Sequence, residues 1–154
     1  MQRASTAGTA PLKRVRVDAT IVELARFRYA LRRFLRFSER AAVRCGVTPQ
    51  QHQLMLGVAG FTGRGSATIS ELAEFLQERV HSVVELVERA ERHGLVRAKK
   101  SSTDRRVVVV SLSRQGMEIL RHLTDVHREQ AHNLGTLLSQ VEIAASSGAR
   151  AKAI

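Results

Sequence analysis

The chain has 154 residues, 44% of them hydrophobic and 25% charged, the size and balance of one globular domain with its own core. Its formal net charge of +11 points to a polyanionic partner, and its apolar runs, such as Leu54 to Phe61, fall short of the roughly 18 residues that a membrane span needs. One cysteine, Cys45, excludes an intrachain disulfide; with no secretory pattern in residues 1–10, it predicts a soluble protein of a reducing, cytoplasmic compartment.

Residues 1–18 read as a flexible tail. From Ala19 the apolar residues Leu24, Phe27, Leu31, Phe34/Leu35, Ala41/Ala42 and Cys45 recur at steps of three and four, which predicts an amphipathic helix over 19–46. Arg26, Arg33, Arg36, Arg40 and Arg44 take its other face. Gly46 is placed to end it, and Thr48-Pro49-Gln50-Gln51 restarts a helix: Thr48 as cap, Pro49 where a missing N–H costs nothing, Gln51 to reach back. That helix is expected to stop near Phe61, before the glycines of Thr62-Gly63-Arg64-Gly65-Ser66.

A short extended Ala67-Thr68-Ile69 precedes two helices, Ser70 to Leu76 and Val80 to His93, whose spacing fits a helix-turn-helix. In that register Leu72 and Leu76 face inward, Ala73 is the small contact residue and Val80 plugs the turn. Val83, Leu86, Val87 and Ala90 form the inward stripe of the second helix. Gln77 stands where such turns often have glycine, so the turn is expected to avoid a positive φ. A step of 100° per residue turns His81, Glu85, Glu88 and Arg92 outward, with Ser82 and Arg89 beside them and Arg79 at the helix start. Arg79, His81, Ser82, Glu85 and Arg89 are the candidate DNA readers; His81, Ser82 and Glu85 lie nearest the helix N-terminus, from which bases are usually read.

The period then shortens to that of a strand. Leu95–Lys99 and Val107–Leu112 read as a hairpin, and Ser113 caps a long helix with Met117, Leu120, Leu123, Val126 and Leu134 on its apolar side. A short helix near Thr136 to Ala145 and a frayed tail over 147–154 complete the chain. Charge is uneven along it. Residues 1–47 carry eleven Lys/Arg against three Asp/Glu, 48–94 four against six, and 95–112 five against one. Electrostatic grip is therefore expected from the hairpin, through Lys99, Lys100, Ser101, Arg105 and Arg106, more than from the reading helix.

The hairpin run Leu95 to Gly116, with Asp104-Arg105-Arg106 leading into a strand that ends Leu112-Ser113 and is followed by Gly116, resembles the signature of MarR-family regulators. The resemblance takes in Thr48-Pro49-Gln50 and Ser70-Glu71-Leu72-Ala73 and spans roughly 20–135. It implies a mainly α fold with a small β-hairpin wing: a winged helix-turn-helix lobe (47–112) between an N-terminal dimerisation helix (19–46) and C-terminal dimerisation helices (113–146). The implied protein is a homodimeric repressor of a near-palindromic double-stranded DNA operator, relieved by a small phenolic or other aromatic effector. The resemblance also places Arg106 in the minor groove and gives Asp104 the role of orienting the wing.

Tyr29, Phe34, His52, Met55 and Met117 are the candidate lining of an effector pocket, although apolar residues at helical spacing more often form plain core. Cys45 is a candidate oxidant sensor beside Arg44, against the commoner role of a free cysteine as a small buried hydrophobe. His122, His127 and His132 are spaced by five and drift around a helix, so no metal site or cofactor is indicated. No nucleophile–base pair or phosphate-cradling loop is present, and no catalysis is expected. The competing reading is a winged-helix interaction module in which Glu78, Glu85, Glu88 and Glu91 face a basic protein partner.

Overall fold

The computed structural model describes residues 17–151. The chain runs α1 (Ala19–Arg44), α2 (Pro49–Leu56), β1 (Ser66–Thr68), α3 (Ile69–Leu76), α4 (Val80–Arg92), β2 (Val96–Lys100), β3 (Val108–Leu112) and α5 (Arg114–Ala151). Of the two expected tails, residues 1–16 and 152–154 lie outside the described residues.

Side-chain caps account for most of the helix starts. Asp18 accepts the Thr20 N–H at 2.7 Å before α1. At α2, Thr48 Oγ1 accepts the Gln51 N–H at 3.1 Å while Gln51 Oε1 accepts the Thr48 N–H at 3.0 Å, the reciprocal bonds that Thr-Pro-Gln-Gln foretells. A second capping box starts α3. Thr68 Oγ1 accepts the Glu71 N–H at 3.2 Å and Glu71 Oε2 accepts the Thr68 N–H at 2.7 Å, so the helix begins at Ile69, one residue before the expected start. The Arg64 guanidinium, 2.6 Å from Glu71 Oε1, adds to these bonds and holds the Glu71 carboxyl below the usual carboxylate range.

Four features differ from the sequence-based expectation. Beyond Leu56, α2 continues as a π-helical turn, Gly57–Phe61, where α3 presses on it: a Cβ built on Gly57 meets Phe75 Cδ1 at 2.7 Å and Leu72 Cδ2 at 3.1 Å. The hairpin gains a third strand, because β1 pairs antiparallel with β3 (Ser66 opposite Ser111, Thr68 opposite Val109) in the order β1-β3-β2. Gln77 takes the positive φ expected to be avoided, φ 55° and ψ 39°; its backbone and side-chain nitrogens donate to the Glu74 carbonyl at 3.2 and 2.6 Å. After Leu112 one continuous helix runs to Ala151, where two helices and a frayed tail from 147 were expected.

The core gathers Leu54, Met55 and Val58 of the second helix, Leu72, Val83, Leu95, Val96 and Val110 of the winged lobe, and Leu123 of α5. Each large apolar side chain buried there contributes on the order of 1.5–3 kcal/mol. Because Leu120 and Leu123 belong to the same cluster, α5 is joined to the lobe. Ser113 makes the joint polar as well as apolar: its hydroxyl donates to the Gly94 carbonyl at 2.5 Å and accepts the Gly116 N–H at 2.9 Å. On α1 only the C-terminal end, at Ser38, Ala41 and Ala42, is fully buried; Ile21 and Leu24 remain 59% and 47% exposed.

Candidate nucleic-acid interface

The candidate reading helix α4 is held from three sides. Val83, Leu86, Val87 and Ala90 are buried, as their period requires. At its C-terminal end the Gln51 amide lies 2.7 Å from His93 Nδ1, and Glu91 Oε1 accepts the Ala98 N–H at 2.9 Å. The helix is therefore tied both to α2 and to the first wing strand.

Its outward surface has a charged centre and two unlike flanks. Arg79 and His81 are exposed at the N-terminal end. Ser82 is half-buried, on the flank turned toward α1 and α2, and Glu85 and Arg89 face each other 3.8 Å apart on the same side. On the opposite flank Val80 and Val84 are 53% and 38% exposed. Val80 therefore does not plug the turn. It is the first residue of α4, off the buried stripe, and with Val84 it lines a groove of about 340 Å³ that also includes Ser70 of α3 and Arg106 of the wing. Sequence reasoning did not single out Val84 on this exposed flank; the same 100° step that turned Glu88 outward leaves Val84 beside it.

The wing is a hairpin paired from Val96 opposite Leu112 to Lys100 opposite Val108. Its loop is internally bonded: Val107 O accepts the Ser101 N–H at 2.8 Å, and the Asp104 carbonyl accepts the Val107 N–H at 3.0 Å. Asp104 Oδ1 takes the Arg106 backbone N–H at 2.9 Å, which gives this carboxylate a local orienting contact. Lys99, Lys100, Arg105 and Arg106 are exposed, and among the described residues none of them has an ion-pair partner within 4.0 Å. Four such cations on the wing, Lys99 and Lys100 at the end of β2 and Arg105 and Arg106 in the braced loop, suit phosphate neutralisation.

The five residues suggested for an effector pocket do not assemble into one. Met55 is fully buried in the core, Tyr29 is exposed beneath the Arg33 guanidinium at 5.9 Å, and Met117 is half-buried on α5. Phe34 and His52 instead belong to an aromatic cluster around His127 of α5, at centroid distances of 5.9 and 5.3 Å. Desolvation, with a smaller effect of His127, pushes the His52 pKa down to about 4. A cavity of about 460 Å³ does exist between α1, α2 and α4, and none of the five residues lines it. Cys45 is half-buried at the C-terminal cap of α1 and packs against the core. The acidic set also divides, Glu91 being committed to the wing and Glu85 paired with Arg89.

Among the described residues, no group of three or more His, Cys, Asp or Glu side chains is arranged to hold a metal ion, and no helix is long and apolar enough to cross a membrane.

Residues 46–107 match the model of the MarR family. No curated protein matches the chain by sequence. Among solved structures, AbsC, a MarR family transcriptional regulator from Streptomyces coelicolor, superposes with a TM-score of 0.66 at 18% identity, over 91% of this chain and 97% of that one. A Staphylococcus aureus MepR variant bound to an oligodeoxyribonucleotide gives 0.59 at 19% identity, over 84% and 93%. NadR in complex with 4-hydroxyphenylacetate gives 0.61 at 18% identity, over 92% and 96%. The segment 46–107 is a MarR-family winged helix-turn-helix, set in a chain that folds as MarR transcriptional regulators do.

Proposed function

We propose that the protein is a sequence-specific, DNA-binding transcriptional regulator without catalytic activity, acting as a homodimeric repressor that a small effector relieves. The observation that carries this reading is the braced wing with four unpaired cations, set beside the exposed face of α4. Grip and reading are separable here. Lys99, Lys100, Arg105 and Arg106 supply affinity through phosphates and the minor groove, while Arg79, His81, Ser82 and Glu85 supply base selectivity. The oligodeoxyribonucleotide bound to the MepR variant supports DNA as the partner, and the 4-hydroxyphenylacetate bound to NadR supports a small effector.

Self-association is supported by α1, whose exposed Ile21, Leu24, Tyr29 and Leu35 are apolar surface that a second copy would cover across a two-fold axis. Paired lobes would then read two half-sites about one DNA turn apart, roughly 34–36 Å.

The test is operator binding at several salt concentrations. Arg106→Ala is expected to weaken specific binding by about 1–3 kcal/mol, and Lys100→Ala to lower the salt slope by about one unit. Wild-type affinity and slope in both variants would remove the wing from the interface. Absence of any specific complex with the protein's own promoter region would favour the protein-interaction module instead.

A further inference from the structure

Resting on the reading of the chain as a DNA-binding regulator, we propose that Val80 and Val84 are specificity-determining residues that read the 5-methyl groups of thymines in the operator. Both are exposed, at 53% and 38%, on the flank of α4 that shares a groove with the wing. Four residues apart on one helix, they stand one above the other and form a short apolar ridge. A solvent-facing helix position is a poor place for valine, because the branched Cβ restricts its rotamers and its methyls lie in water. Neither residue belongs to the core that holds Val83, Leu86, Val87 and Ala90 of the same helix.

The groove beside the ridge, about 340 Å³, fits duplex DNA in its sign of charge as well as its polarity. Val107 and Val108 of the wing extend its apolar wall, and Ser70 and Arg106 are exposed at its edge. No carboxylate lines it, and its one charged group, Arg106, has no ion-pair partner within 4.0 Å among the described residues. The other flank of α4 differs, since Glu85 and Arg89 face each other there. With α4 in a major groove and Arg106 in the adjacent minor groove, the sugar–phosphate strand that separates the two passes over this groove. Base edges beside that strand then meet Val80 and Val84.

Valine has neither donor nor acceptor, so it selects by what it cannot satisfy as well as by what it touches. Against the ridge, cytosine and adenine would bury an amino group and guanine its O6 and N7 without a partner. Thymine alone presents a methyl group in the major groove. The two valines lie about 6 Å apart along the helix axis, close to two base-pair rises of about 3.4 Å, so one ridge can span two to three successive base pairs. Such contacts carry no charge and add selectivity without adding to the salt dependence.

The probe is the protein's own promoter region, amplified once with thymidine triphosphate and once with deoxyuridine triphosphate, which removes the 5-methyl groups and keeps the pairing edges. Affinities of the full-length protein for both duplexes are compared with those of Val80→Ala/Val84→Ala, which places a good helix former at two exposed positions. Wild type is expected to bind the uracil duplex at least about fourfold more weakly, the worth of one buried methyl. In the variant this gap should close, with the salt slope unchanged because no phosphate contact is lost. Equal affinity of wild type for the two duplexes, or a gap of undiminished size in the variant, overturns the proposal, and specific binding of the thymine duplex then leaves the regulator reading standing. Absence of any specific complex with the thymine duplex overturns both.

Discussion

His127 of α5 stacks on His52 of α2, ring centroids 5.3 Å apart and planes 26° from parallel, with Phe34 and Phe37 of α1 edge-on to it. The pair is buried where the long helices meet the winged lobe. His127 Nδ1 donates to the Leu123 carbonyl, and among the described residues its Nε2 has no hydrogen-bond partner.

The burial of His52 makes stability depend on pH. With the His52 pKa lowered from 6.5 to about 4, the unfolded chain binds a proton between those values that the folded chain does not. Stability is therefore undiminished above pH 6.5 and falls as the pH drops from 6.5 toward 4, by on the order of 2–3 kcal/mol for this group. Urea midpoints at pH 7 and pH 5 measure it. His52→Gln should flatten this part of the profile; an unchanged slope would show that other groups carry it.

Gly116 and Gly135 lie on the same helix and should respond oppositely to alanine. A Cβ on Gly116 falls 2.0 Å from the Leu95 carbonyl oxygen, a backbone atom at the start of the wing, whereas one on Gly135 meets nothing within 4 Å. Gly116→Ala is expected to cost about 3 kcal/mol or more by forcing α5 off the lobe, and Gly135→Ala to stabilise by roughly 0.5–1 kcal/mol through helix propensity. Thermal melts of the two variants decide this, and similar shifts in both would refute the close approach.

The turn between α3 and α4 depends on one left-handed residue. Gln77→Val places a β-branched side chain at φ 55° and gives up the Nε2–Glu74 carbonyl bond of 2.6 Å. A loss of about 1–3 kcal/mol is expected in chemical denaturation. Gln77→Asn, which tolerates this conformation, should stay near wild type.

Asp104 acts on the wing without reaching outside it. Asp104→Ala removes the 2.9 Å bond to the Arg106 N–H. Operator affinity should fall about three- to tenfold, with little change in unfolding midpoint, since the loop is exposed. A fall as large as that of Arg106→Ala would indicate that Asp104 touches the DNA itself.

Much of the fold was legible because the signals are local. The Thr48 and Ser113 caps, the buried stripe Val83, Leu86, Val87 and Ala90, and the β-branched run into Leu112 each need only a few neighbouring residues to specify them. Of the candidate site, the same locality made the wing's basic residues and the outward placement of His81 readable. Period alone tells which face an element buries, but not what covers it. The pairing of β1 with β3, the π-helical turn at Gly57 and the positive φ of Gln77 arise from elements distant in sequence or from the tight α3–α4 corner.

For the same reason His52 and Phe34, chosen as a pocket, became the packing around a histidine 75 positions beyond His52, while the open groove formed from Leu35, Glu39, Glu78 and Glu85, which no spacing rule joins. The sequence by itself determined the class of fold and the basic wing. Only the tertiary structure decided which side chains share a cavity, because a cavity is the space left between elements after each has satisfied its own core.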